Sequence, residues 1–239
     1  MELDPTVRKE LIEKISETIS PAAQRHRAMR VYIWEATVRV SYRLKRLLDI
    51  TVSVAATILL MPVFLITAAA IWIENPGPVL FAQTRVGRNG RHFRFFKFRS
   101  MVVNADCMKD QLAAMNESAA GVIFKMKKDP RITKVGRIIR KLSIDELPQL
   151  LNVLKGDMSL VGPRPPLPRE VAEYTLEERK RLHVMPGITC LWQVSGRSDI
   201  PFNEQVLLDM QYIQSSSITN DIALLLRTVP AVLTGRGAY

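Results

Sequence analysis

Ile50 to Ile73 reads ITVSVAATILLMPVFLITAAAIWI, 24 residues without a charge between Asp49 and Glu74. At about 1.5 Å of rise per residue, a straight helix of that length crosses a hydrocarbon core of about 30 Å. Pro62 interrupts it. A proline inside a helix removes one backbone hydrogen bond and clashes with the preceding turn, so a kink is expected there. Each half is then about 12 residues, or about 18 Å, too short to span alone. Both flanks are basic: Arg39, Arg43, Lys45 and Arg46 come before, and Arg85, Arg88, Arg91, Arg94, Lys97 and Arg99 follow. Ends rich in Lys and Arg stay on the cytoplasmic side. A single span has to export one of them, whereas a bent helix that enters the inner leaflet and returns keeps both. The reading favours a re-entrant membrane helix over residues 46–74, kinked at Pro62, with both chain ends inside.

The rest of the composition fits one domain with an appendage. The chain has 239 residues, 47% hydrophobic and 24% charged, and its 34 Lys and Arg exceed its 23 Asp and Glu by 11. That length can bury a core. Collagen, low complexity and wholesale disorder are excluded. A basic balance points to anionic partners: nucleic acid, phosphorylated small molecules or an anionic membrane face. Cys107 and Cys190 give neither a metal cluster nor a disulfide framework and read as reduced and structural. Met1 to Glu13 lacks the apolar core of a secretory signal, so a cytosolic compartment is expected for the non-membrane part.

Asp4-Pro5 marks a helix start, and Val7, Leu11, Ile12, Ile15 and Ile19 a helical face ending near Ser20-Pro21. A basic helix over residues 24–48 leads into the apolar run; a solvated face and contact with anionic headgroups are both open for it. Asn75-Pro76-Gly77-Pro78 breaks the helix. Residues 79–98 read as a β-hairpin whose Asn89-Gly90 suits a tight primed turn. Helices are expected over 104–119 and 203–214. The apolar run 222–233 is too short to span and reads as an interfacial or packing helix.

Three features suit phosphate: the Arg and Lys of the hairpin, the basic stretch 125–141 and Gly162-Pro163-Arg164-Pro165. Guanidinium groups bind phosphate oxygens bidentately, and the two prolines stiffen the backbone around Arg164. Ser143-Ile144-Asp145-Glu146-Leu147-Pro148 opens a helix. Pro148 belongs in a first turn, which puts Asp145 and Glu146 at the helix N-terminus, where carboxylates are stabilised as anions. Plain capping explains such a pair equally well. The chemistry goes further. An ordinary Asp titrates near 3.9 and is already a nucleophile at neutral pH, able to form an aspartyl phosphate without an activating base. An adjacent Glu can hold Mg²⁺ together with water and substrate phosphates. His26, His92 and His183 show no metal spacing, and neither a nucleophile elbow nor a Gly-x4-Gly-Lys phosphate loop is present.

From about Arg46 onward the chain resembles the bacterial sugar transferases, also called monotopic phosphoglycosyl transferases, which are polyprenyl-phosphate hexose-1-phosphate transferases. The matching pieces follow the family's order. They are Asn75-Pro76-Gly77-Pro78-Val79, Lys97-Phe98-Arg99-Ser100-Met101, and Arg140-Lys141-Leu142-Ser143-Ile144-Asp145-Glu146-Leu147-Pro148-Gln149-Leu150. Asn152 to Ser159, Val161 to Pro165, Pro186 to Thr189 and Trp192 to Arg197 complete them. The resemblance implies that Asp145 attacks the sugar-bearing phosphate of a UDP-sugar and releases UMP. Polyprenyl phosphate, usually undecaprenyl phosphate, then takes the sugar phosphate from the enzyme. Glu146 matches the Mg²⁺-binding glutamate, Arg140 and Arg164 match phosphate contacts, and Lys97 matches the motif lysine. Arg197 lies in a motif on the nucleotide side. Two departures stand out: Met61-Pro62 replaces a Ser-Pro pair at the kink, and Cys190 replaces a glycine.

The expected architecture is α+β. Residues 1–45 form a helical extension and 46–74 the re-entrant hairpin. Residues 75–239 form a small cytosolic α/β catalytic domain with a β-hairpin and amphipathic interfacial helices. The expected setting is the bacterial inner membrane, with the catalytic domain facing the cytoplasm and no nucleic-acid partner. Residues 1–45 lie outside the resemblance, and a homodimer contact and headgroup binding are both open for them. Two rivals share parts of the pattern. A Mg²⁺-dependent membrane diphosphate hydrolase uses the same carboxylates with water as acceptor. A membrane-anchored nucleic-acid-binding protein uses Phe93, Phe95, Phe96 and Phe98 interleaved with cations to stack bases. Strand alternation, with phenylalanines inward and cations outward, explains that last pattern as well.

Overall fold

The computed structural model of the chain describes residues 21–105, 107–108 and 129–234. The helix expected over residues 5–20 lies outside them. Of the helix expected over 104–119, only Asn104, Ala105, Cys107 and Met108 are described, in turns. Two compact units divide between Lys45 and Arg46. In the first, residues 21–45 are the N-terminal part of helix α1 (Pro21–Leu59), and Met29, Ile33, Trp34 and Tyr42 are exposed along it.

The second unit opens with the remainder of α1 and with α2 (Met61–Glu74), which bend by 61° at Leu60. Pro62 lies in the first turn of α2, where its missing N–H costs nothing. The ladder crosses the break through the Leu60 N–H to the Ala56 carbonyl at 2.9 Å and the Phe64 N–H to the Leu60 carbonyl at 3.0 Å. The expected kink is therefore present, displaced to the residues just before the proline. Among the described residues no single helix is long and apolar enough to cross a membrane, whereas the bent pair passes by length and composition. Ile58, Leu59, Leu65, Ile66 and Ile73 all point outward.

The charged start of the apolar run seats α1 on the body of the unit. Arg46 donates to the Val153 and Leu154 carbonyls at 2.6 and 3.0 Å, which lie at a helix end where carbonyls lack intrahelical partners. Asp49 is buried and accepts from Ser159 Oγ and the Leu160 N–H, each at 3.0 Å.

Strands β1 (Leu80–Val86) and β2 (His92–Phe98) form the expected hairpin, paired from Leu80 with Phe98 to Val86 with His92. Asn89 and Gly90 both take left-handed backbone, with φ of 57° and 77°, and the Arg91 N–H reaches the Arg88 carbonyl at 3.3 Å. That is the geometry an Asn-Gly pair favours. Strand β2 packs on both faces. Phe95 joins the main core of Leu150, Val153, Met158 and Leu160, while Phe98 joins Ile71 and Ile139. Neither ring is available to stack on a base.

The chain continues through α3 (Lys134–Lys141), a 3₁₀ turn (Ile144–Glu146), α4 (Gln149–Lys155) and β3 (Ser159–Val161). Then come α5 (Pro168–Glu173), α6 (Leu176–Arg179), β4 (Gly187–Thr189) and α7 (Leu191–Ser195). Helices α8 (Phe202–Gln214) and α9 (Ile218–Thr234) close the unit. β3 and β4 pair in parallel, so the described sheets are two small two-stranded ones among many helices. The backbones cross closely there: a Cβ on Gly187 would stand 2.1 Å from the Gly162 nitrogen. α8 begins one residue before the expected span. α9 contains the apolar run 222–233 and packs through Leu224, which is fully buried.

Candidate active site

Lys97 stands one residue before the buried Phe98 and shares a strand face with Phe95. It does not point to solvent, as simple alternation suggests for a cation. Its Nζ lies 2.8 Å from Glu146 Oε1 and 3.6 Å from Asp145 Oδ2. The two carboxylates are delivered by a sharp reversal after α3. Ser143 adopts left-handed backbone, φ 53° and ψ 20°, and the Glu146 and Leu147 N–H groups return to the Ser143 and Ile144 carbonyls at 3.1 Å each.

This refines the expectation that Pro148 lies in a first helical turn with Asp145 and Glu146 at that helix's N-terminus: the two carboxylates sit in a separate 3₁₀ turn. α4 begins only at Gln149, and Pro148 precedes it as the N-cap. The intervening 3₁₀ turn folds its Glu146 and Leu147 N–H groups back onto its own carbonyls, and Lys97 is the cation that meets both carboxylates. Their electrostatics differ accordingly. Burial, assisted by the Glu146 charge, pushes the Asp145 carboxyl above its ordinary value against the pull of Lys97 and Arg140. Burial also works against the Glu146 anion, but Lys97, Arg164 and Arg197 outweigh it and hold that carboxyl below its ordinary value. Asp145 is therefore not the unperturbed carboxylate its sequence position suggests, and Glu146 carries the firmer negative charge.

Both carboxylates line a cavity of about 720 Å³, and so do Lys97, Arg140, Arg164 and Arg197. Six separately expected residues thus converge on one space. Pro62 is not in the wall; its neighbours Leu60 and Val63, at the helix bend, are. Arg197 holds left-handed backbone, φ 55°, an uncommon conformation for a residue with a side chain. Cys190 is fully buried with φ −148°, so extended backbone there needs no glycine, and its thiol donates to Gln193 Oε1 at 3.0 Å.

Arg85 also belongs to the wall, though in the sequence it is one hairpin cation among several. It pairs across the hairpin with Phe93, which puts it on the Lys97 face of β2. It is buried, donates to the Pro165 carbonyl at 3.0 Å, and lies 5.2 Å from the Phe95 ring centroid, with Lys97 Nζ 5.5 Å from the same ring. Burial and the nearby Arg164 charge lower its guanidinium to about 10. Arg85 thereby fixes the loop that carries Arg164. The only sequence signal for it is its strand face.

Among the described residues no group of three His, Cys, Asp or Glu side chains can hold a metal. Two adjacent carboxylates on an open cavity do fit Mg²⁺ shared with substrate, because that ion completes its shell with phosphate oxygens and water. Paired carboxylates on one lysine, surrounded by arginines, are groups suited to chemistry at phosphorus on an anionic substrate. The chain belongs to the bacterial sugar transferase family, whose profile matches residues 40–235. It is 51% identical over 197 residues to the galactosyl transferase CpsE of Streptococcus agalactiae, covering 81% of this chain and 43% of that protein. It is 43% identical over 221 residues to the undecaprenyl-phosphate galactose phosphotransferase of Salmonella typhimurium, covering 90% and 46%. It is 41% identical over 203 residues to the UDP-glucose:undecaprenyl-phosphate glucose-1-phosphate transferase of Caulobacter vibrioides, covering 82% and 72%. The chain spans less than half the length of the first two relatives.

Proposed function

We propose that this chain transfers a hexose 1-phosphate from a UDP-sugar to undecaprenyl phosphate or a similar polyprenyl phosphate, releasing UMP and starting the assembly of a polysaccharide or glycoconjugate. The observation that carries the reading is the buried Asp145, held beside Lys97 and Glu146 at a cavity walled by Arg140, Arg164 and Arg197. The acceptor is supported by relatives named for undecaprenyl phosphate.

The reaction runs in two displacements. An Asp145 carboxylate oxygen attacks the sugar-bearing phosphorus, forming an aspartyl phosphate and breaking the phosphoanhydride bond to UMP. A phosphate oxygen of the polyprenyl phosphate then attacks the same phosphorus. That forms the lipid diphosphate and returns Asp145 as a carboxylate. One anhydride is broken and one is made, so no ATP is consumed. Lys97 keeps Asp145 aimed and counters its charge. Arg140 and Arg164 neutralise the phosphate oxygens as charge shifts between them. Arg197 contacts the nucleotide side. Mg²⁺ would be held by Glu146 together with substrate phosphates and water, and would supply further charge neutralisation. The bent helix pair anchors the unit in the inner leaflet as a re-entrant hairpin. The site then meets a lipid acceptor and a soluble cytoplasmic donor at one surface.

The test is UMP release by the purified full chain in detergent with Mg²⁺, polyprenyl phosphate and a panel of UDP-sugars. Release with one hexose donor, a lipid-linked product and loss in Asp145→Asn is the expected result. Free sugar phosphate without a lipid product would replace transfer with hydrolysis.

A further inference from the structure

Glu74 ends the bent helix pair, and its carboxylate leaves its own helix. Oε1 accepts the Lys134 N–H at 2.7 Å and Oε2 accepts the Val135 N–H at 2.9 Å. These are the first two amides of α3, which no carbonyl within that helix can reach. The third, Gly136 N–H, goes to Thr133 Oγ1 at 2.9 Å. A negative side chain also suits the positive end of the helix. α3 has eight residues, too few to hold together without such support. Its last turn carries Arg140, about 9 Å from the capped end.

The packing around Glu74 points the same way. Ile71, one turn earlier on α2, is buried against Phe98 and Ile139, with Ile144 at the edge of the cluster. Each of these three is the chain neighbour of a site residue: Lys97, Arg140 and Asp145 respectively. The next carbonyl, that of Asn75, accepts from Arg99 Nη2. α3 itself is pressed onto the strand exit, since a Cβ on Gly136 would stand 2.0 Å from the Ser100 carbonyl oxygen. The end of the helix pair is therefore fitted to every segment that supplies the carboxylate cluster.

We infer that Glu74 is a positioning residue: by capping α3 it sets Arg140 against the substrate phosphate and couples the seat of the helix pair to the active site. The substrate half of this inference rests on the transferase reading, whereas the clamp on α3 does not.

The experiment uses the full chain with Glu74→Ala, Glu74→Gln and Glu74→Asp. Loss of the cap is expected to raise the donor KM about 5-fold with kcat changed less, as a 1 kcal/mol cap acting through a binding group does. Glu74→Asp recovers most of the loss. In a double-mutant cycle, Glu74→Ala adds nothing further to Arg140→Lys, because both act through the same guanidinium. Hydrogen exchange at residues 134–136 accelerates in Glu74→Ala and Glu74→Gln. Additive costs with Arg140→Lys, or an unchanged KM, overturn the coupling. Unchanged exchange overturns the clamp. If the wild-type chain releases no UMP, the transferase reading fails, and the exchange measurement alone decides whether Glu74 holds α3.

Discussion

Two buried clusters in the second unit set cations against carboxylates, and they face different things. Arg181 and Asp209 are sealed. Arg181 Nη2 donates to Asp209 Oδ2, Nη1 donates to the Tyr174 hydroxyl at 3.3 Å, and the guanidinium lies 5.8 Å from the centroids of both Tyr174 and Phe202. One positive charge meets one negative charge, and neither borders the cavity. Lys97, by contrast, is shared by Asp145 and Glu146, and all three border it. The balanced pair locks α8 to the segment before β4. The trio is net negative, but with Arg140, Arg164 and Arg197 the cavity wall carries an excess of positive charge, which an anionic diphosphate would bring into balance. Ion pairing thus holds the fold in one place and, in the proposed reading, prepares for a phosphorylated ligand in the other.

The sharpest break between the two comes from isosteric removal of one charge. Asp145→Asn keeps shape and volume but has no anionic oxygen to attack phosphorus. UMP release is expected to fall by more than about 10³-fold, with the melting temperature essentially unchanged. Retained release would merge the two clusters into one structural class.

Asp209→Ala should do the reverse. Leaving Arg181 buried without its partner costs about 3–5 kcal/mol, which lowers the melting temperature by about 10 °C in a domain of this size. Activity per folded molecule is expected to hold. A stable but inactive Asp209→Ala protein would show that the sealed pair also serves the site.

The third effect is a displacement in pH. In the proposed displacement Asp145 must be ionised to attack, and burial raises its carboxyl above the ordinary range. Activity therefore falls on acidification at a higher pH than an unperturbed Asp, near 3.9, would give. Lys97 opposes that rise. Lys97→Met removes the opposing charge, so the acid limb of kcat/KM moves further up in pH, together with a loss of about 10-fold or more at neutral pH. A limb that stays put would mean that Lys97 does not set the ionisation of Asp145.

These contrasts also mark what the sequence makes legible. Local chemistry is readable: Asn89-Gly90 turns the hairpin, Pro62 bends the helix pair, and Arg164 is stiffened between prolines. The convergence of Lys97, Arg140, Asp145, Glu146, Arg164 and Arg197 follows from family motifs, because nothing local brings residues 100 positions apart to one wall. Tertiary partnership is not readable. Arg181 ends a run of Glu177, Glu178, Arg179 and Lys180 that looks like a solvated surface, yet its partner lies 28 residues on. The turn at Asp145 departs from a helical first turn because Ser143 reverses the chain so that both carboxylates can meet Lys97. That is a demand of packing, with no local signature. Arg85 and Glu74 likewise act on backbone groups 80 and 60 residues away.

Cys190 joins the two clusters, so the smallest effect tests their separation. Its buried thiol is pushed up by desolvation and by the Asp209 charge, and it donates to Gln193, which lines the cavity. Its backbone is extended, so a glycine gains nothing from its freedom there and loses the packing of one small side chain. Cys190→Gly is expected to cost about 1 kcal/mol or slightly more, from the lost side-chain burial and the added unfolded-state entropy. The donor KM is expected to stay within about 2-fold, since coupling from the sealed pair to the cavity through one weak thiol donor is slight. Chemical denaturation at neutral pH measures the first quantity and UMP release the second. A large KM change with little loss of stability would mean that the sealed pair and the cavity are coupled through Gln193. The division between a cluster that holds and a cluster that reacts would then be a gradient within one network.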